Sequence, residues 1–250
     1  MIVDYHRPKT LEEALFLLKQ TNLKNIPLAG GTAIDRYPKE DVAVIDLQDL
    51  GLNQILDRGN TVEIGATTTL QRLLDTPRIQ PELKKAILHE ATHNLRQIAS
   101  VAGTVVAADG RSPFATACLA LDGTLKIIPD EERMEMGEFL NLRDESLKGR
   151  LITQIILPLN VQFRYEYVSR TPADLPIVCV GVAVWPSGRT RVALGGFGLH
   201  PKLAMDGPDS GGADNAAMNA YSQAGDQWAS ADYRQELVGI LAKRCLAASN

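Results

Sequence analysis

Residues 94–123 read NLRQIASVAGTVVAADGRSPFATACLALDG, and how this run is parsed decides how the chain is built. Ser112-Pro113 opens a helix: a serine hydroxyl accepts an amide of the first turn, and proline at the first helical position gives up an N–H that would have had no partner. The alanine- and leucine-rich stretch behind the pair carries that helix to a stop near Gly123. Ahead of it, residues 100–111 read as a loop that begins with the small residues ASVAGT at 99–104. Such a loop, with a helix N-terminus behind it, suits phosphate or ribose oxygens, because first-turn amides lack intrahelical partners and carry partial positive charge.

Some 70 residues earlier the chain holds a related segment, PLAGGT at 27–32. A short apolar strand, residues 25–28, runs into Gly30-Gly31, where the missing side chains let backbone N–H groups approach an anion. A Gly-Gly turn between strands is also a common structural device, so this loop alone does not name a ligand. It is neither a Rossmann fingerprint nor a Walker A loop, since no GxGxxG precedes a helix and no Lys-Ser/Thr follows.

Around these loops the pattern alternates between helix and strand. Thr10 with Glu13 forms a capping box, and Leu11, Ala14, Leu15 and Leu18 share a face, predicting a helix over 11–20. Strands are predicted at 42–47 and 61–65, helical character at 69–74, and a helix from Pro81 with Leu83, Ile87 and Leu88 on one face. Strands resume at 124–128, 152–157, 163–169, 177–184 and 190–195, with Ser187-Gly188 as a hairpin turn. Residues 206–213 read as a mobile Gly/Asp/Ser/Pro loop, and a last helix spans about 231–247. The class is α+β, with a boundary near residue 155.

Composition narrows the function. A formal net charge of -4 and a pI near 5.6 leave no basic surplus for a phosphate backbone, so nucleic acid is excluded as the expected partner. No apolar run reaches the roughly 20 residues of a membrane span and MIVDYHRPKT lacks a signal core, which sets a cytoplasmic expectation. Cys118, Cys179 and Cys245 form no CxxC pair, so they are expected to be core residues rather than cluster ligands.

The segments YHRPKTLEEAL (5–15), PLAGGTAI (27–34), VAVIDLQDL (42–50), VEIGATTTL (62–70), the run at 94–123, RYEYVSRTPADLPIV (164–178), RVALGGF (191–197) and ASADYRQELVGILAKRCL (229–246) together resemble the flavoprotein subunits of molybdenum hydroxylases, the xanthine dehydrogenase and carbon monoxide dehydrogenase group. The resemblance implies a FAD-binding fold of the vanillyl-alcohol-oxidase (PCMH) type. It divides the chain into a FAD-binding domain over 1–155, made of two α+β subdomains at about 1–56 and 57–155, and a smaller C-terminal carbon monoxide dehydrogenase flavoprotein-like domain over 156–250. FAD is the implied cofactor, its pyrophosphate held by Leu28, Ala29, Gly30, Gly31, Thr32, Ala33 and Ile34 and by Ser100, Val101, Ala102, Gly103 and Thr104. Tyr165 is the implied aromatic neighbour of the isoalloxazine. The chain departs from the family pattern at Ala102, Pro113 and Tyr167, which stand where a glycine, an aspartate and a lysine are usual; Asp109 or Ser112 is the candidate to substitute for that aspartate.

The resemblance further implies an oxidoreductase subunit that works in a complex, with a molybdenum cofactor on a large partner and 2Fe–2S clusters on a small one. Electrons would reach the flavin from those clusters and leave to NAD⁺, a quinone or oxygen. No catalytic acid, base or metal ligand is assigned to this chain. Two rival readings stand beside this one: a degenerate, FAD-free scaffold subunit, and a zinc metalloprotease. The second rests on His89-Glu90-Ala91-Thr92-His93, an HExxH that would set both histidines on one face of a helix but for which no third ligand can be picked out.

Overall fold

The computed structural model of the chain describes residues 1–34 and 41–248. Its first unit is a parallel sheet of β1 (Ile2–His6), β2 (Lys24–Leu28) and β3 (Val42–Asp46), in the order β1-β3-β2, with α1 (Leu11–Leu18) crossing between β1 and β2. The central strand β3 is buried at every position, which is why VAVID shows no polar alternation. Thr10 caps α1 by accepting the Glu13 amide at 3.2 Å. Glu13 reaches back to the Lys9 amide at 3.0 Å, one residue earlier than a standard capping box.

The second unit is an antiparallel sheet in the order β4-β5-β8-β6-β7, made of β4 (Ile55–Asp57), β5 (Thr61–Gly65), β6 (Thr124–Ile128), β7 (Glu132–Glu135) and β8 (Leu151–Pro158). Between β5 and β6 lie five helices: α2 (Leu70–Leu74), α3 (Pro81–Glu90), α4 (His93–Ile98), α5 (Val101–Ala107) and α6 (Pro113–Ala120). A further helix, α7 (Met136–Ser146), joins β7 to β8. The third unit is the antiparallel sheet β12-β11-β10-β9, formed by β9 (Gln162–Val168), β10 (Val178–Val184), β11 (Thr190–Gly195) and β12 (Lys202–Gly207) and followed by α8 (Ala213–Ala220) and α9 (Ala231–Ala247).

The alternation of side chains across this last sheet divides its two jobs. Val178, Val180, Val182, Val192 and Leu194 pack with residues of α8 and α9. Phe163, Tyr165, Cys179, Ala183 and Ala193 instead join the core that contains α6. Every residue of α6 is buried, so PFATACLA has no face for water and no polar stripe. Two glycines let the sheet come this close: a Cβ on Gly195 would lie 2.3 Å from Thr116 Oγ1, and one on Gly181 would lie 3.0 Å from Ala120 Cβ. Beyond the end of α6, Asp122 receives Arg191 at 2.8 Å, and Arg191 also holds Asp206 at 2.7 Å, which ties the second unit to β11 and β12.

Several sequence expectations are corrected here. The switch between sheets follows Pro158, because β8 still pairs with β5 through residues 154–158; a boundary at 155 would cut that strand. A division at 56/57 would likewise cut β4. Residues 206–213 are not one loop, since Asp206 and Gly207 pair with β11 and Ala213 begins α8. The helix from Pro81 buries Leu83, Ala86 and Ile87, while Leu88 is exposed. All three cysteines are buried thiols, and burial raises Cys179 and Cys245 to a pKa of about 12.

Gly195→Ala tests the contact between α6 and the C-terminal sheet. The added methyl meets Thr116 Oγ1 of α6 at 2.3 Å and Cys179 Sγ of the neighbouring strand β10 at 2.6 Å, so both the helix and the strand must give to admit it. Overpacking of this kind costs about 1–3 kcal/mol. Urea titration should show a lower midpoint with an unchanged slope, and an unaltered midpoint would show that α6 is not held tightly against β11.

Candidate functional site

The first glycine loop leaves β2 and lies over the end of α4. Gly30 is there for packing: a Cβ would fall 1.8 Å from the Ile98 carbonyl oxygen, which is backbone and cannot step aside. Gly31 is there for conformation, with φ at +69° and only Leu28 Cδ1, at 3.5 Å, near a hypothetical Cβ. The turn closes with the Ile34 amide on the Gly31 carbonyl at 3.3 Å. Among the described residues, the amides of Ala29, Gly30, Gly31, Thr32 and Ala33 have no acceptor. A run of unpartnered N–H groups in a glycine turn is a site for an anion.

These amides open on a cleft of about 1120 Å³, lined by all seven residues 28–34 together with Thr67, Ser100, Ala102, Gly103 and Arg143. That is the size of a large ligand site, where clefts run roughly 300–1,000 Å³. Thr67 and Arg143 were not picked out from the sequence, where nothing distinguishes them from surface residues. Arg143 spans to the end of α5, donating to the carbonyls of Val106 at 2.8 Å and Ala108 at 2.5 Å.

The second glycine segment differs from its sequence reading. Most of residues 100–111 is not loop but the helix α5, capped by Ser100, whose Oγ accepts the Gly103 amide at 3.1 Å. The Val101 amide is bonded to Thr68 O, the Ala102 amide to Ala66 O and the Thr104 amide to Ser100 O. Amides used in this way have nothing left to offer a pyrophosphate. What α5 supplies to the cleft is a wall of small residues, in which a Cβ at Gly103 would lie 2.7 Å from the capping Ser100 Oγ.

The N-terminus of α6 is also taken, by a residue of the HExxH motif. Glu90 Oε2 accepts the Ser112 hydroxyl at 2.8 Å and the Phe114 amide at 2.9 Å. Burial, with the nearby Asp109 charge adding to it, raises the Glu90 carboxyl to a pKa of about 7 against the pull of those two donors. Glu90, Asp109, Ser112, Thr104 and Leu175 line a smaller cavity of about 230 Å³, whose wall it shares with the large cleft at Thr32, Ala33 and Gly103.

The two histidines do not share a helical face. Helix α3 ends at Glu90, Ala91 is fully extended at φ -150° and ψ 151°, and α4 starts afresh at His93. His89 Nε2 lies 2.8 Å from the Asp174 carbonyl, which can only accept, so that nitrogen carries the proton. Its Nδ1 then accepts from the Tyr165 hydroxyl at 3.2 Å, and the ring lies against Tyr167 at 3.9 Å between centroids. Burial lowers the His89 pKa and keeps the ring neutral. His93 is exposed.

Thirteen of the fifteen candidate residues line one or both cavities, the exceptions being Val101 and Tyr165. Val101 is buried inside α5. Tyr165 is fully buried in the core between α3 and β10, where burial raises its pKa well above the usual tyrosine value. Residues 1–160 match the family of the FAD binding domain in molybdopterin dehydrogenase. The chain belongs to this family.

The chain is also similar to curated proteins and to solved structures. The chain is 29% identical to the nicotinate dehydrogenase FAD-subunit of Eubacterium barkeri, over 81% of this chain and 78% of that one. It is 24% identical to the carbon monoxide dehydrogenase medium chain of Afipia carboxidovorans, over 97% and 95%. Carbon monoxide dehydrogenase from Hydrogenophaga pseudoflava, solved without the Mo-pyranopterin moiety of its molybdenum cofactor, superposes with a TM-score of 0.83 at 22% identity, covering 99% of this chain and 97% of that one. The family's FAD-binding α+β fold is thus the fold of this chain, FAD is its cofactor, and its class is oxidoreductase. The first loop fits that cofactor, since its five unpartnered amides are what a pyrophosphate needs.

The two adjacent glycines should separate on substitution. Gly30→Ala forces the loop off Ile98 and should lower stability at the upper end of about 1–3 kcal/mol. Gly31→Ala has room, so it should fold, lose about 1 kcal/mol to the left-handed conformation and weaken FAD binding at least tenfold. Thermal melts beside FAD titration check both, and equal melting points for the two variants would contradict this division of roles.

His89→Ala removes two hydrogen bonds and a ring contact between α3 and the C-terminal sheet, and should cost about 1–3 kcal/mol. His93→Ala should change stability by less than about 0.5 kcal/mol. Calorimetry on both variants distinguishes them, and stoichiometric zinc lost from either one would revive the metalloprotease reading.

Proposed function

We propose that this chain is the FAD-carrying electron-transfer subunit of a molybdenum hydroxylase complex. The observation that carries the proposal is the run of unpartnered amides over 29–33, facing a cleft large enough for a dinucleotide. The amides of Ala29, Gly30, Gly31, Thr32 and Ala33 hold the pyrophosphate, with Leu28 and Ile34 lining the cleft at the two ends of the loop. Ser100, Ala102 and Gly103 form the facing wall, and Thr104, Asp109 and Ser112 lie at the smaller cavity, toward the C-terminal domain. When bound, FAD supplies the exchange between single-electron and two-electron chemistry. The protein's own task is to bind it, orient it and restrict water around it.

The reductant in this proposal is another protein. Among the described residues no three His, Cys, Asp or Glu side chains gather into a metal site. The three cysteines are buried thiols in α6, β10 and α9. The 2Fe–2S clusters are therefore assigned to a small partner and the molybdenum cofactor to a large one, with NAD⁺, a quinone or oxygen as the acceptor. The relatives named as a medium chain and as a FAD-subunit support this division. Among the described residues no helix is long and apolar enough to cross a membrane.

The native protein should be yellow and should copurify with a chain bearing paired cysteine motifs and with a large molybdenum subunit. A permanent contact of this kind buries well over about 1,000 Å². Addition of the complex's substrate should bleach the flavin only when both partners are present. A colourless protein that binds no FAD would point to the scaffold reading, and reduction of the isolated chain by an organic substrate would make it a free-standing oxidase.

A further inference from the structure

Glu90 is left over by everything above: it belongs to an HExxH that is no metal pair, and it serves neither glycine loop. Its Oε2 is saturated by the Ser112 hydroxyl and the Phe114 amide. Among the described residues Oε1 has no hydrogen-bond partner, and Glu90 forms part of the wall of the smaller cavity. The carboxyl group is thus fixed at one oxygen by the start of α6, and its other oxygen is the atom left to face the cavity.

The surroundings decide the charge on that oxygen. The groups that act on it or feel it are Asp109 from the turn before α6, Cys118 from α6, Tyr165 from β9 and Cys179 from β10; His89 precedes it in the chain, Arg96 reaches the backbone of the residue after it, and Arg111 precedes its partner Ser112. Arg96 is spent on the Ala91 carbonyl at 2.6 Å, and Arg111 on the carbonyls of Leu175 at 2.6 Å and Pro176 at 3.1 Å. His89 is neutral, and the buried thiols and phenol are raised in pKa and uncharged. The full charge that acts on Glu90 is that of Asp109, which repels a second anion. No ion pair is formed by Glu90 among the described residues. A carboxylic acid in this position accepts two hydrogen bonds at Oε2 and keeps one proton to give away at Oε1.

We propose that Glu90 is a cofactor-contacting acid, which as the neutral carboxyl donates a hydrogen bond from Oε1 to an acceptor of the FAD held across the two cavities. Binding is released when the group ionises, because a carboxylate at Oε1 offers an acceptor no donor and sets a second negative charge beside Asp109. The HExxH glutamate thereby has a role that needs no metal. The inference rests on the FAD reading above, and its test separates the two.

The test is FAD titration of the full chain between pH 5.5 and 8.5, followed by flavin fluorescence, for the wild type and for Glu90→Gln. If binding follows the protonated form, one proton titrating near pH 7 should weaken the wild-type affinity about tenfold between pH 6 and pH 8. Glu90→Gln keeps a neutral group and the acceptor for Ser112 and Phe114, so its dissociation constant should change less than about twofold over the same range. Should this variant fail to fold, calorimetry of the wild type in buffers of different ionisation enthalpy gives the same answer: FAD binding should take up close to one proton at pH 8 and about a tenth at pH 6. A wild-type affinity independent of pH, an identical pH dependence in Glu90→Gln, or no proton uptake at pH 8 overturns the role of Glu90 and leaves FAD binding standing. No binding at any pH overturns the FAD reading itself.

Discussion

The structure depends on burying α6 on all sides. An eight-residue helix with no solvent face can exist only if every neighbour is complementary, and each neighbour here shows the adjustment. Two glycines in the C-terminal sheet clear the way for it, α3 packs along it, and Arg191 fixes the turn after it to β11 and β12. A buried helix end also needs partners for its amides, because orphaned donors away from water are costly. Ser112 and Glu90 meet that need, which places an acidic side chain in the wall of the smaller cavity. Packing of the core and chemistry of the site are one arrangement at this point.

The two glycine segments, alike in composition, solve different problems. The first keeps its amides unpartnered because Gly30 presses its backbone onto Ile98 while Gly31 turns the chain outward. The second folds into a helix and uses its amides on Ser100, Thr68 and Ala66. An anion therefore meets donors on one wall of the cleft and small apolar residues on the other. Ala102, where the family usually has glycine, costs nothing in donors on this account, since its amide is bonded to Ala66 in any case.

The HExxH segment shows how far spacing alone can mislead. Two histidines four residues apart face the same way only if the helix continues, and Ala91 breaks it. His89 then finds Tyr165 and Asp174 in the C-terminal unit, Glu90 finds α6, and His93 faces water. Three residues that look like one catalytic unit belong to three different environments.

The sequence by itself determined the α+β class, the strands at 61–65, 124–128 and 190–195, the capped helices at Thr10 and Ser112, the last helix over about 231–247, and the first glycine loop. Each of these is local, set by hydrophobic period, cap chemistry or backbone freedom within a few residues. The family resemblance added FAD and the approximate division of the chain. Only the tertiary structure decided which amides stay unpartnered, that Tyr165 is core and lines neither cavity, that 100–107 is a capped helix, and that Glu90 sits at a helix terminus 22 residues further along the chain. Those outcomes turn on which distant backbone or side chain arrives within about 3 Å of a given donor. Such contacts are made between segments far apart in the chain, and no local pattern encodes them.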